Sequence, residues 1–275
     1  MALSVNTNVA SLNAQLNLSK SSTRLNASMQ RLSTGMQING SADNPAGLVV
    51  SQLQKKEING LSGAISNIDR GVNEVQTADS ALGEVGDLLN KMRSLAVDSA
   101  NSATNDTASL SANQAELTKL SASIDSIANT TKFGTKNLLD GTFTNQQFQI
   151  GAISGENTTL TIAKSDSTTL AVNALDLTTT SGSNAALTAI DSAISSVASA
   201  RGDLGAFQVG TLEATKSNNQ SQLLNMQHAQ SSLQDTDYQK EIASFTSEQI
   251  RQQVGSTVLG MANQSSQSIV SLLRG

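Results

Sequence analysis

Apolar residues recur at the spacing of an amphipathic helix at both ends of the chain. From Ala2 to about Met36 they stand mostly three, four or seven positions apart: Val5, Val9, Leu12, Leu16, Leu18, Leu25 and Leu32. The closing stretch repeats the pattern with Ile242, Phe245, Ile250, Val254, Val258, Met261, Ile269 and Leu272. This spacing places the apolar side chains on one narrow stripe of each helix. Because neither stripe is wide enough to build a globular core, we expect the two ends to pair with each other and with copies of the chain.

The composition favours thin helix–helix seams over a thick core. Of the 275 residues, 37% are hydrophobic but only 2% are aromatic, with no Trp and a single tyrosine, Tyr238. A compact enzyme of this length normally fills its core with rings, because each ring buries a large area. The single proline, Pro45, leaves nearly the whole chain free to be helical.

Several function classes are excluded by what the chain lacks. It has no cysteine and one histidine, His228, which stands outside any metalloprotease motif. We therefore expect no catalytic site, no metal and no cofactor. The net charge is −5 and the basic residues are scattered, which argues against nucleic-acid binding. From the pattern of its first residues and the absence of a long apolar run, we expect no secretory signal peptide and no membrane insertion, which does not exclude export without a cleaved signal.

The interior of the chain predicts helices on either side of a small β region. Turn residues fill Asn39 to Pro45, with Asn44 and Pro45 typical of a helix start. The clearest heptad run follows, flanked by Ile58, Ile65 and Val72 and interrupted by Asp79 and Gly86: Leu61, Ile68, Val75, Leu82 and Leu89. A polar break at residues 101–107 precedes a shorter helix.

Alternating apolar and polar residues between Lys132 and about Leu170 predict a β-hairpin, and a Ser/Thr/Gly-rich loop should extend to Asn184. Helical spacing then resumes until a break at residues 235–237. The predicted fold is mainly α: an elongated antiparallel helical bundle or coiled coil with one small β-hairpin.

Six runs of residues resemble bacterial flagellin, and they span nearly the whole chain. They are NTNVASLNAQ (6–15), RLSTGMQINGSADNPAGLVVS (31–51), MRSLAVDSAN (92–101), DTDYQKE (235–241), QQVGSTVLGMANQ (252–264) and SIVSLLRG (268–275). The resemblance implies a short flagellin that lacks the large outer variable domains. Residues 1–43 and 236–275 would form an inner coiled coil. Residues 44–235 would form an outer rod of three long helices, with the hairpin and loop at about 132–184.

The resemblance also implies function, location and partners. The chain would polymerise into the extracellular flagellar filament for swimming motility, after type III export. Self-assembly would use the terminal stripes, chiefly Val5, Val9, Leu12, Leu16, Val254, Val258, Met261, Ile269, Leu272 and Leu273. An export chaperone, a cap protein and junction proteins would be partners. A hook–filament junction protein and a coiled-coil binding or adhesin module remain alternatives.

One family segment, Asn90 to Leu95 together with Glu116, is similar to the part of flagellins that an animal innate-immune receptor recognises. Lys91 and Leu95 lie in that segment, which also contributes to subunit contacts. Here Lys91 replaces the arginine of strongly recognised members, and Ser94 replaces their glutamate. Lysine cannot reproduce the planar fork of arginine, so the expected receptor affinity is reduced.

Overall fold

The computed structural model describes residues 7–101, 103 and 105–273. Six α-helices and four short strands follow one another in these residues. Their bounds are α1 Val9–Thr34, α2 Pro45–Ser99, α3 Thr107–Thr130, β1 Lys132–Phe133, β2 Lys136–Asn137, β3 Gln146–Gln149, β4 Asn157–Leu160, α4 Thr180–Phe207, α5 Ala214–Gln234 and α6 Tyr238–Leu273. A π-helical segment, Gln208–Glu213, joins α4 to α5 without a break. The strands form two antiparallel pairs, β1–β2 and β3–β4. The predicted mainly α fold is confirmed.

Two compact units divide the chain. The terminal unit contains the chain up to Lys56 and the chain from Asn225 onward, and the central unit contains Glu57–Leu224. The units therefore separate inside α2 and α5, about a dozen residues from the boundaries proposed at 43/44 and 235/236, which coincide with helix ends.

Helix ends lie where the sequence predicts them, because side chains and a glycine cap the backbone there. Gly35 ends α1 in the left-handed conformation, at a φ of 73° that costs glycine little. The side chain of Asn44 accepts a hydrogen bond from the N–H of Gly47, 2.9 Å away, at the start of α2. Asp106 caps α3 in the same way through the N–H of Ser109.

The core of the central unit is built on two rows of α2. The predicted heptad row is at most 2% exposed. A second row, three residues further along, is also buried but was not predicted: Ala64, Gly71, Ala78, Val85, Met92 and Ser99. The predicted flanking positions Ile58, Ile65 and Val72 are only partly buried. Asp79 and Gly86 lie outside both rows, so they do not interrupt the seam.

The π-helical segment between α4 and α5 keeps the buried residues on either side of it facing the same core. Core-facing residues of α4 alternate steps of three and four up to Phe207, and the next buried residue, Leu212, comes five residues later. A continuous α-helix would turn Leu212 away from the core, since its period is 3.6 residues. The π-helical segment absorbs the extra residue, and Leu212 is fully buried.

The predicted hairpin, β3–β4, packs on α2 at two glycines. Phe148 of β3 lies against Gly71, where a Cβ atom would be 3.2 Å from its ring. The same ring is 6.1 Å from that of Phe207, centroid to centroid. In the turn of the hairpin, Ala152 lies beside Gly60, where the Cβ atoms would be 2.8 Å apart. A second strand pair, β1–β2, precedes this hairpin and was not predicted.

The predicted loop up to Asn184 is wrong in its last part, because α4 begins at Thr180. The hydroxyl of Thr179 accepts a hydrogen bond from the N–H of Gly182, 3.0 Å away. The hydroxyl of Ser183 donates to the carbonyl of Thr179. Serine and threonine favour loops in general, but here Thr179 caps the helix and Ser183 hydrogen-bonds within its first turn.

Candidate assembly surface

Helices α1 and α6 pair antiparallel in the terminal unit through small residues. Ala14, Ser21 and Ser28 stand seven residues apart on α1, and each is less than 9% exposed. Leu18 of α1 packs over Gly255 of α6, where a Cβ atom would be 3.3 Å from its Cδ1. Small side chains let two helix backbones approach closely, so this seam needs few large apolar groups.

A buried carboxylate fixes the register of the pair. Glu248 is 8% exposed, and its Oε2 accepts a hydrogen bond of 2.8 Å from the hydroxyl of Ser21. Its Oε1 lies 3.1 Å from Nε of Arg24 and 3.0 Å from a guanidinium nitrogen of Arg251. A buried charge is tolerated only when it is paired and hydrogen-bonded. A slip of α1 along α6 would separate the Glu248 carboxylate from Ser21 and Arg24 and would therefore be strongly destabilising.

Polar contacts continue this pairing toward the far end of α6. The side-chain amide of Asn8 donates to the carbonyl of Ala262, 2.9 Å away. The hydroxyl of Ser11 donates to Oδ1 of Asn263, at 2.8 Å. The predicted pairing of the two ends is therefore present within a single chain, over the described residues.

The predicted assembly residues lie outside this seam. Those that the structure describes are between 43% and 61% exposed: Val9, Leu12, Leu16, Val254, Val258 and Met261. Val254 and Val258 line a groove of about 290 Å³ together with Ile250 of α6 and Ala14 of α1. Val5 lies outside the described residues, as do the side chains of Ile269, Leu272 and Leu273.

The arrangement gives one helix pair two different surfaces. Its interior consists mainly of small and polar residues, with a few partly buried large ones such as Leu18, and its exterior carries most of the large apolar side chains. Exposed apolar surface of this kind marks protein–protein contacts. The interior seam was not predicted, although the seven-residue spacing of Ala14, Ser21 and Ser28 could have indicated it.

The candidate receptor-contact residues lie in the central unit. Lys91 of α2 and Glu116 of α3 are exposed, whereas Leu95 packs partly against the core. Next to Lys91, Nε of Arg93 lies 2.7 Å from Oδ1 of Asp191 on α4. That hydrogen bond raises the pKa of Arg93, so the charged guanidinium of Arg93 is paired with Asp191.

The described part of the chain lacks a candidate metal centre: its His, Asp and Glu residues form no group of three or more that could hold a metal ion. His228 is exposed on α5. None of the described helices is both long enough and apolar enough to cross a bilayer.

Comparison with known proteins gives the family. Residues 5–144 match the bacterial flagellin N-terminal helical region, and residues 187–273 match the bacterial flagellin C-terminal helical region. The flagellin of Halalkalibacterium halodurans is 37% identical over 272 residues, which cover 98% of this chain and 99% of that protein. The flagellin of Bacillus subtilis is 34% identical, with 98% and 99% covered.

Solved structures give a similar result. The crystal structure of Bacillus cereus flagellin matches with a TM-score of 0.51 and 27% identity, over 60% of this chain and 94% of that one. A putative flagellar hook-associated protein from Vibrio parahaemolyticus matches with a TM-score of 0.60 over 70% of this chain and all of that one. At 15% identity the latter shows a shared fold alone. With both flagellin regions matched and full-length flagellin relatives above 30% identity, the chain belongs to the bacterial flagellin family.

Proposed function

We propose that the exposed apolar faces of α1 and α6 are the surfaces through which copies of this flagellin polymerise. As a flagellin, the chain is a structural protein and not an enzyme. It is an exported component of the extracellular flagellar filament, which propels swimming bacteria.

One observation supports this assignment most strongly: most of the large apolar residues of the paired ends are exposed. Burying a side chain such as valine or leucine stabilises an assembly by about 1.5–3 kcal/mol when burial is complete. Several such residues are about half exposed on each chain. Contacts between copies that bury them would therefore stabilise a polymer by several kcal/mol for each chain.

We also propose that the two parts of the chain form different layers of the filament. Residues 1–43 and 236–275 would form the inner coiled coil, and residues 44–235 the outer rod. The likeness to flagellins also supports contacts with an export chaperone, a cap protein and junction proteins.

Electron microscopy of the purified chain after salt-induced assembly tests whether the chain polymerises, and the same imaging of Val258→Asp, on the exposed face of α6, tests the proposed surface. A flagellin is expected to form long tubes, because each copy offers apolar surface to more than one neighbour. A coiled-coil binding or adhesin module would form discrete oligomers instead, and particles of that kind alone would contradict the proposal. Tubes that require a second protein at their base would favour the junction-protein alternative.

We also propose a weak contact between Lys91, Leu95 and Glu116 and an animal innate-immune receptor. The exposure of Lys91 and Glu116 supports it. Lys91→Arg is expected to increase activation in a cell reporter assay, because arginine presents a planar set of donors that lysine lacks. Lys119→Arg, on a helix of the same unit, is a control for added guanidinium. Equal responses to all three chains would exclude Lys91 from the contact.

A further inference from the structure

The connection between α1 and α2 contains an Asn–Gly pair, Asn39–Gly40, and a second pair, Asn59–Gly60, lies inside α2. In such a pair the glycine nitrogen can attack the side-chain amide carbon of the asparagine, because glycine has no Cβ to obstruct the approach. The new N–Cγ bond closes a succinimide ring as the Cγ–Nδ2 bond breaks. The glycine amide proton passes to a base in solvent, and ammonia leaves with a proton from water. Water then opens the ring, which yields aspartate or isoaspartate.

Asp43 engages both backbone nitrogens of the first pair. Its Oδ2 accepts hydrogen bonds from the N–H of Asn39 and from the N–H of Gly40, each at 3.0 Å. The N–H of Asp43 in turn donates to the carbonyl of Gly40, 3.2 Å away, which closes a turn. The group that would attack is therefore bound to a carboxylate.

The side chain of Asn39 is engaged as well. Its Nδ2 donates to the carbonyl of Met36, at 2.9 Å. This bond holds the amide that would leave against the end of α1, so the attacking and leaving groups are both held by the folded chain. Asn39 and Gly40 are themselves partly exposed, so solvent base and water have access to the pair.

We propose that Asn39–Gly40 is a deamidation site that Asp43 keeps closed in the folded protein. Attack requires the Gly40 nitrogen to lose its proton. That loss would leave a negative nitrogen 3.0 Å from a carboxylate oxygen, where like charges repel strongly. Asn59–Gly60 is protected differently, because the helix fixes its backbone in hydrogen bonds independent of Asp43.

Peptide mapping by mass spectrometry tests this proposal on the purified full-length chain. Wild type, Asp43→Ala and Asp43→Asn are incubated at mildly alkaline pH, and aspartate and isoaspartate are quantified at positions 39 and 59. Wild type unfolded in urea supplies the unprotected rate at both positions. Asp43→Asn is the matched variant, because it keeps an acceptor oxygen but loses the charge. Circular dichroism verifies that the variants keep their helices.

Asp43→Ala is expected to speed modification at position 39 by about tenfold or more and to leave position 59 unchanged, given the strength of hydrogen bonds to charged groups. Asp43→Asn should fall between Asp43→Ala and wild type. The proposal is overturned if folded wild type reacts at position 39 as fast as the urea-unfolded chain. It is also overturned if Asp43→Ala changes nothing, or accelerates both positions equally.

Discussion

Val258→Asp is expected to abolish polymerisation of the purified chain while its helices stay intact. Val258 is 43% exposed on α6 and lines the apolar groove beside Val254. Because the seam between α1 and α6 does not bury this side chain, a carboxylate there stays in water in the free chain. Valine and aspartate also have similar helix propensities, so α6 itself loses little.

The cost arises only when copies meet. A contact that covers the groove must then strip water from an unpaired carboxylate among apolar groups, which costs several kcal/mol. Each ~1.4 kcal/mol changes an association constant about tenfold. The concentration that Val258→Asp needs for polymerisation should therefore be about a hundredfold or more above that of wild type under the same conditions.

Sedimentation after salt-induced assembly measures this effect, and electron microscopy identifies any polymer. Val258→Ile is the matched control, because it keeps an apolar β-branched side chain at the same position, and it should assemble as wild type does. Circular dichroism should give the same helix content for all three chains. If Val258→Asp formed normal filaments at the wild-type concentration, the apolar face of α6 would not be a contact between copies.

Large apolar residues made the helices and the main core row predictable. Leu61, Ile68 and Leu82 mark one face of α2 because their size and spacing leave no other way to bury them. The helix ends were predictable for a local reason, since Gly35 and Asn44 act on the few residues around them. Both kinds of signal depend on a residue's own chemistry, which the sequence displays directly.

Seams of small residues were not predictable in the same way. Ala64, Gly71 and Ala78 are buried because neighbouring elements approach α2 closely, and that approach is a property of the folded chain. The same holds for Ser21 and Ser28, which a hydrophobicity pattern counts as polar. The apolar stripes of the two ends were predicted, but the single chain leaves more than half of their described residues exposed, because smaller residues fill most of its seam.

Two glycines of α2, Gly60 and Gly63, are expected to respond to alanine with opposite signs. Nothing lies within 4 Å of the position that a Cβ atom of Gly63 would take. Gly63→Ala should therefore raise the free energy of unfolding by about 1 kcal/mol, the usual gain when alanine replaces glycine inside an exposed helix. Gly63→Ala therefore measures how much alanine stabilises the helix where no neighbouring element is in contact.

At Gly60 the same helix gain is opposed by the hairpin. The Cβ atom of an alanine there would be 2.8 Å from the Cβ of Ala152 and 3.2 Å from its Cα. The second of these neighbours is backbone, so the turn of the hairpin must move away from α2. Overpacking of this kind costs about 1–3 kcal/mol, and Gly60→Ala should lower the free energy of unfolding despite the better helix former.

Urea unfolding of the wild type and both variants, followed by circular dichroism, measures the two signs. The double variant Gly60→Ala with Ala152→Gly removes the nearer of these two atoms and leaves the Cα at 3.2 Å, so it should recover part of the lost stability. Such recovery would show that the loss of stability in Gly60→Ala arises from the contact between the hairpin turn and α2. If Gly60→Ala stabilised the chain as much as Gly63→Ala, the hairpin would not be held against α2 at this point. Gly60 would then be only a weak position in a long helix.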